Sequence, residues 1–146
     1  MSAQGSYNSS QHKQAILTPL TEENYVDLAM KAINSLRVDK KTGKPAKMLT
    51  TSQIRNLLAM TSDIYNDVQN EKKEQLDKDI IARINYLRVR FVYEAGREKK
   101  VKAFVQETHI LDYLVTAKKG RKEYILFSRY MEALVAYHRY YGGKDQ

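Results

Sequence analysis

The chain predicts an all-α fold, a single-domain bundle of about five helices. Three observations point there: apolar residues recur at three- and four-residue steps in five segments, no stretch alternates convincingly with period two, and proline occurs only twice in 146 residues. A chain of this length buries enough surface for one core without covalent staples. Met1 to Leu20 is rich in Ser, Gln and Asn and poor in large apolar residues, so it cannot offset the entropy of ordering. Residues 1–20 are therefore expected to be a flexible tail, and residues 21–146 the bundle.

Each helix has its own local cause. Thr21 can cap the first, with Glu22 and Glu23 at the positive dipole end and Tyr25, Leu28, Ala29, Ala32, Ile33 and Leu36 at helical spacing to about Val38. Asp39 to Met48 carries Lys40, Lys41, Gly43, Lys44, Pro45 and Lys47 and is expected to be a flexible basic linker. Thr50 and Gln53 have the spacing of a capping box, and Ile54, Leu57, Leu58, Thr61, Ile64, Tyr65 and Val68 follow with strong periodicity. The third pattern starts near Lys73 and puts Leu76, Ile80, Ile84, Leu87 and Phe91 on one face until Gly96 ends or bends it. Val101, Phe104, Val105, Thr108, Leu111 and Val115 define a fourth helix. The turn Lys118-Lys119-Gly120-Arg121 leads into the last, with Phe127, Tyr130, Met131, Leu134, Val135, His138 and Tyr141 at helical spacing before Gly142-Gly143.

Charge is sided. The chain holds 25 Lys and Arg against 17 Asp and Glu, a net +8 that favours a polyanionic partner. Residues 83–102 carry seven bases against two acids, a local +5, whereas residues 63–79 carry six acids against three lysines, a local −3. Within the basic segment Arg83, Tyr86, Arg90, Tyr93 and Arg97 recur at steps of three, four, three and four, which aligns them along one helical stripe. Guanidinium forks match phosphate geometry, and flat rings accept a base or sugar. The stripe is either a nucleic-acid track or the solvated flank of an amphipathic helix. Arg88, Lys99, Lys100 and Lys102 extend the same basic segment, and Arg55 offers a further phosphate contact from the second helix.

Catalytic chemistry finds little support. Cysteine is absent, which excludes disulfides, thiolate metal sites and a cysteine nucleophile, and is compatible with a reducing cytoplasm. His12, His109 and His138 have no metal-ligand spacing, no glycine-rich phosphate loop is present, and the carboxylate pairs Asp63/Asp67 and Glu71/Glu74 lie in solvated, lysine-flanked segments. No cofactor, metal site or enzyme activity is expected, and a small nuclease is disfavoured. The polar N-terminus lacks a signal-peptide core and no apolar run approaches a membrane span, so a cytoplasmic protein is expected.

Two further features bear on partners. Thr51-Ser52-Gln53-Ile54-Arg55-Asn56-Leu57 weakly resembles the base-reading end of a helix-turn-helix, which makes a small sequence-specific DNA-binding regulator the alternative. Capping accounts for the same residues, and the ten-residue linker removes the tight turn such a module needs. The last helix bears Tyr124, Tyr130, Tyr137, Tyr140 and Tyr141 with Arg129 and Arg139. Most of these aromatics are expected to be core, and the remainder, especially Tyr140 and Tyr141, to form an interface. Arg129, Tyr137, Arg139, Tyr140 and Tyr141 are the candidates for a subunit interface, where tyrosine and arginine are enriched.

Three segments together resemble the small helical subunit of type III-A CRISPR-Cas (Csm) ribonucleoprotein effector complexes. They are Leu49-Thr50-Thr51-Ser52-Gln53-Ile54-Arg55, then Tyr93-Glu94-Ala95-Gly96-Arg97 with Val101-Lys102-Ala103-Phe104-Val105, then the run from Phe127 through His138-Arg139-Tyr140-Tyr141 to Gly142. Their order and spacing carry the likeness, since none is a mechanistic motif. The resemblance implies a non-catalytic five-helix bundle, present in several copies, that stacks beside the guide-RNA-binding subunits in antiviral and anti-plasmid defence. It also implies a grip on the target RNA backbone that reads no sequence, with basic residues of the second and third helices facing the target strand. Arg55 and Arg97 fall inside the matching segments, whereas Arg83, Arg88 and Arg90 rest on helical geometry alone.

Overall fold

The computed structural model describes residues 17–144. Residues 1–16, which hold most of the expected tail and His12, lie outside the described residues, as do 145–146. The fold is all-α: α1 (Tyr25–Leu36), α2 (Thr51–Asn70), α3 (Lys78–Arg97), α4 (Lys99–Thr108), α5 (Ile110–Ala117) and α6 (Arg121–Tyr140), with no strand among the described residues. α6 is the central helix. It packs against α1, α2 and α5, while α2 and α3 lie side by side and α4 closes against α1 and α3.

Local chemistry sets most of the boundaries. Thr21 and Asn24 exchange bonds as a capping box does, Asn24 N donating to Thr21 Oγ1 at 3.1 Å and Thr21 N to Asn24 Oδ1 at 2.8 Å. In α2 the predicted box forms, with Gln53 N donating to Thr50 Oγ1 at 3.1 Å and Thr50 N to Gln53 Oε1 at 2.8 Å. Asp77 caps α3 by accepting from Ile80 N at 3.1 Å, so that helix starts at Lys78 rather than near Lys73. Packed structure also reaches back into the expected tail: Leu17 and Leu20 lie against the core, and the Tyr113 hydroxyl donates to Thr18 O at 2.6 Å.

Two elements depart from the sequence expectation. Asp39 to Met48 is a closed loop: Asp39 N donates to Lys44 O at 2.7 Å and Ala46 N to Arg37 O at 2.8 Å, flanking a Val38–Pro45 bridge in which proline itself has no donor. Gly43 supplies the turn at φ +72°, a conformation glycine adopts without steric cost. The fourth predicted helix is two, broken at His109 with φ 57° and ψ 30°. Histidine is among the few side chains enriched in that left-handed region. The break is locked from the core, because the Tyr130 hydroxyl donates to Thr108 O at 2.8 Å while Thr108 Oγ1 turns back to Phe104 O at 2.7 Å.

The large polar side chains that the last helix buries each have a partner, whereas Ser128 Oγ and Arg121 Nε are buried without one. Tyr124 and Tyr130 are fully buried, and Tyr124 donates to Thr61 O at 2.8 Å, tying α6 to α2. Burial pushes both phenols well above the ordinary tyrosine value, so both stay protonated donors. His138 is buried with Nε2 2.8 Å from Leu49 O; a carbonyl can only accept, so Nε2 carries the hydrogen. Gly143 N returns to His138 O at 2.8 Å, and Thr51 N donates to Lys144 O at 2.8 Å, so the C-terminal segment closes the start of α2. A Cβ on Gly143 would overlap the His138 ring, whose place the Leu49 bond already holds. Gly143→Ala is therefore expected to cost about 1–3 kcal/mol by overpacking. Urea denaturation measures it, and an unchanged midpoint would show that the segment does not seat on His138 as described.

Candidate nucleic-acid interface

α3 turns Ile80, Ile84, Leu87 and Phe91 into the core, which rotates the arginine and tyrosine stripe to one flank. Arg83, Arg90 and Arg97 fall within about 40° of one another around the helix and span about 21 Å along it, at 100° and 1.5 Å per residue. Tyr86 is 62% exposed and Tyr93 57%, so both side chains are accessible from solvent. The stripe forms one bank of a groove whose other bank is α2. Near its middle, a space of about 510 Å³ is lined by Met60, Asp63, Arg83, Tyr86 and Arg90, and nearer the start of α2 another of about 250 Å³ is lined by Ser52, Gln53, Asn56 and Arg97.

The arginines are not equivalent. Arg83 is committed to α2, with NH1 2.5 Å from Asp67 Oδ2 and NH2 donating to Asp63 O at 3.2 Å. Arg90 and Arg97 instead share Glu94, at 3.6 Å and 3.2 Å, and their guanidinium carbons stand 5.9 Å and 5.7 Å from the Tyr93 ring centroid. Glu94 is tucked against the helix, its side chain only 13% exposed, so one carboxylate positions two cations beside one ring. Such exposed pairs are each worth about 0–1 kcal/mol, weak enough for a phosphate to compete for the donors. The sequence signal for the role of Glu94 is its spacing, four residues after Arg90 and three before Arg97.

The other candidates lie elsewhere on the surface. Arg88 is exposed but about 140–180° around α3 from the other arginines. Arg55 is exposed on α2, at least about 80° around that helix from Gln53, Asn56, Met60 and Asp63, which face the groove. Lys99, Lys100 and Lys102 are exposed on α4, beyond an extended Glu98 (φ −135°, ψ 120°) that ends the line of the stripe. Lys100 faces a second groove, about 270 Å³, opposite Lys40 and Lys47 of the closed loop.

That loop is tethered by Lys40 Nζ, 2.6 Å from Glu107 Oε1. Burial raises the Glu107 carboxyl, but hydrogen bonds from Lys40 and Ser35 and the Lys40 charge outweigh it, leaving the group below its ordinary value. With the folded value depressed, the tether is complete above the ordinary carboxylate range and is lost as pH falls through the lowered value. A carbon-13 titration of Glu107 is expected to show that value, with the loop amides shifting in step, and Glu107→Gln should flatten both.

Of the interface candidates, Tyr137, Tyr140 and Tyr141 cluster at the end of α6, with centroids 5.2–6.3 Å apart and Tyr140 77% exposed. Arg139 is exposed beside them, and Arg129 lies apart on α6, 3.9 Å from Glu22. No group of three or more metal-ligating side chains comes together among the described residues, and no helix there is long and apolar enough to cross a membrane. The start of α2, weighed above as a base-reading end, is occupied by the Lys144 carbonyl and the Thr50–Gln53 box.

A model of the Csm2 type III-A family matches residues 29–144, a span that takes in every helix after the first turn of α1. The chain is 48% identical over 126 residues to "CRISPR system Cms protein Csm2" of Streptococcus thermophilus, covering 86% of this chain and 98% of that one. It is 41% identical over 98 residues to the protein of that name from Mycobacterium tuberculosis (strain ATCC 25618 / H37Rv), covering 67% and 79%, and 39% identical over 95 residues to that from Enterococcus italicus, covering 64% and 68%. On the extent of the family match and these identities, the chain belongs to the Csm2 family of type III-A CRISPR systems.

Proposed function

We propose that this chain is a non-catalytic structural subunit of a type III-A effector complex, stacked in multiple copies along the guide RNA/target RNA duplex and gripping the target backbone without reading its sequence. The complex acts in the cytoplasm, in antiviral and anti-plasmid defence. The observation that supports the reading best is the Arg90–Tyr93–Arg97 set, two permanent cations steered by one tucked carboxylate beside an open ring on a groove bank. Guanidinium forks on phosphate position a strand but carry no sequence information. Among the described residues no three metal-ligating side chains come together as a metal-dependent nuclease would need.

Purification of the tagged chain from its native cell, followed by photocrosslinking, tests this. Guide RNA and other effector subunits should co-purify, and crosslinked peptides should map to Tyr86 and Tyr93. A complex without RNA, or crosslinks confined to other helices, would sink the proposal. A preference for one duplex DNA site over random RNA would instead favour the regulator.

A further inference from the structure

We infer that the cleft between the closed 38–48 loop and the C-terminal segment is a site for a nucleotide unit, a phosphate joined to a flat base, separate from the α3 stripe. The cleft encloses about 600 Å³, within the range of small-ligand sites. Three cations from three different elements line it: Arg37 after α1, Lys47 in the loop and Lys144 after α6, with no carboxylate beside them among the described residues. Its remaining wall includes Val38, Met48 and Leu49, which gives an apolar floor under a cationic rim.

The orientation of Arg37 adds a platform. Its guanidinium carbon lies 4.5 Å from the Tyr141 ring centroid, and Tyr141 in turn stacks on Tyr137 at 6.0 Å and 29°. Asn34 Oδ1 takes one NH1 donor at 2.9 Å, which fixes the fork without consuming it. Tyr141 thus contacts both Arg37 and Tyr137, and Arg37, which is exposed, is the member of this set that lines the cleft with a planar cation. A planar guanidinium stacks on a base and donates to a phosphate, a pair of roles that lysine cannot combine. An acidic peptide would satisfy the three charges but would leave the planar platform and the apolar floor unused. The inference stands on these residues alone and does not depend on the function proposed for α3.

The ligand could be a free nucleotide or the end of an RNA chain, and the probes separate the two. The full chain is titrated with adenosine monophosphate, with a short oligoadenylate bearing a 5′-phosphate or a 5′-hydroxyl, with adenosine, with inorganic phosphate and with an acidic peptide, following the Gly142 and Gly143 amide resonances. Adenosine monophosphate is expected to shift them at least about tenfold more tightly than adenosine or phosphate alone, since each half supplies charged hydrogen bonds or stacking. Equal binding by the 5′-phosphorylated oligoadenylate identifies a chain end; binding by the mononucleotide alone identifies a free nucleotide. Lys47→Glu and Arg37→Lys, both at exposed side chains, should each weaken binding about tenfold. The proposal is overturned if the mononucleotide and the oligoadenylate leave those amides unmoved, if Arg37→Lys binds like the parent, or if only the acidic peptide binds.

Discussion

Phe91→Ala is expected to lower the free energy of unfolding by about 3–5 kcal/mol, a large part of the 5–15 kcal/mol typical of a domain. Phe91 is fully buried on the core face of α3, so truncation loses its transfer free energy and leaves a cavity the neighbouring helices fill only in part. Tyr93, two residues on, is the contrast. It is exposed on the other side of the helix, and Tyr93→Ala should cost no more than about 1 kcal/mol, chiefly its contacts with Arg90 and Arg97. Urea denaturation of the pair, with the slope unchanged and only the midpoint moving, is the measurement. Similar midpoints would mean that the assignment of core and groove faces on α3 is wrong. A large gap would show that the stripe can be altered without unfolding the helix that carries it.

What the sequence revealed was what neighbours in the chain decide. Thr50 and Gln53 are three residues apart and need only each other, so the start of α2 was readable. The core face of α3 follows from the spacing of Ile80, Ile84, Leu87 and Phe91. The break at His109 was not readable, because the hydroxyl that holds Thr108 O belongs to Tyr130 on another helix. The glycine, proline and lysine content of the loop after α1 predicts a flexible linker, yet Asp39 and Gly43 close it and Glu107, distant in sequence, tethers it.

The candidate interface divides in the same way. Helical spacing placed Arg83, Arg90 and Arg97 together, and it also places Arg88 away from them once the core face is known. Spacing says nothing about Asp67, which engages Arg83 from α2, or about the opposite bank formed by Gln53, Asn56 and Met60. A charge count over residues 83–102 joins all seven bases into one patch, whereas Glu98 turns the chain between α3 and α4 and divides them. The tyrosines of α6 show the limit most plainly. Tyr124 and Tyr130 are core and Tyr140 is exposed, a difference that composition cannot express.

The division within the patch gives the sharpest functional test. Arg90→Glu with Arg97→Glu should weaken binding of the assembled complex to target RNA by about a hundredfold at low salt, from the loss of two charged contacts of about 1.5 kcal/mol or more each. The slope of log affinity against log salt should fall in magnitude by about 1.4 for a single strand or about 1.8 for duplex geometry, two contacts at 0.7 or 0.9 each. Folding should be little affected, because both side chains are about half exposed and the new like-charge neighbours of Glu94 cost only about 0.2–0.5 kcal/mol per pair. Arg88→Glu makes the same change of charge per residue on the same helix, but on the opposite flank. If overall positive charge governs binding, Arg88→Glu should produce about half the effect of the double variant on a logarithmic scale. If the groove-facing pair governs it, Arg88→Glu should leave the salt slope within error of the parent. An unchanged slope in the double variant would show that Arg90 and Arg97 are the solvated flank of an amphipathic helix, and that the RNA track lies on another face.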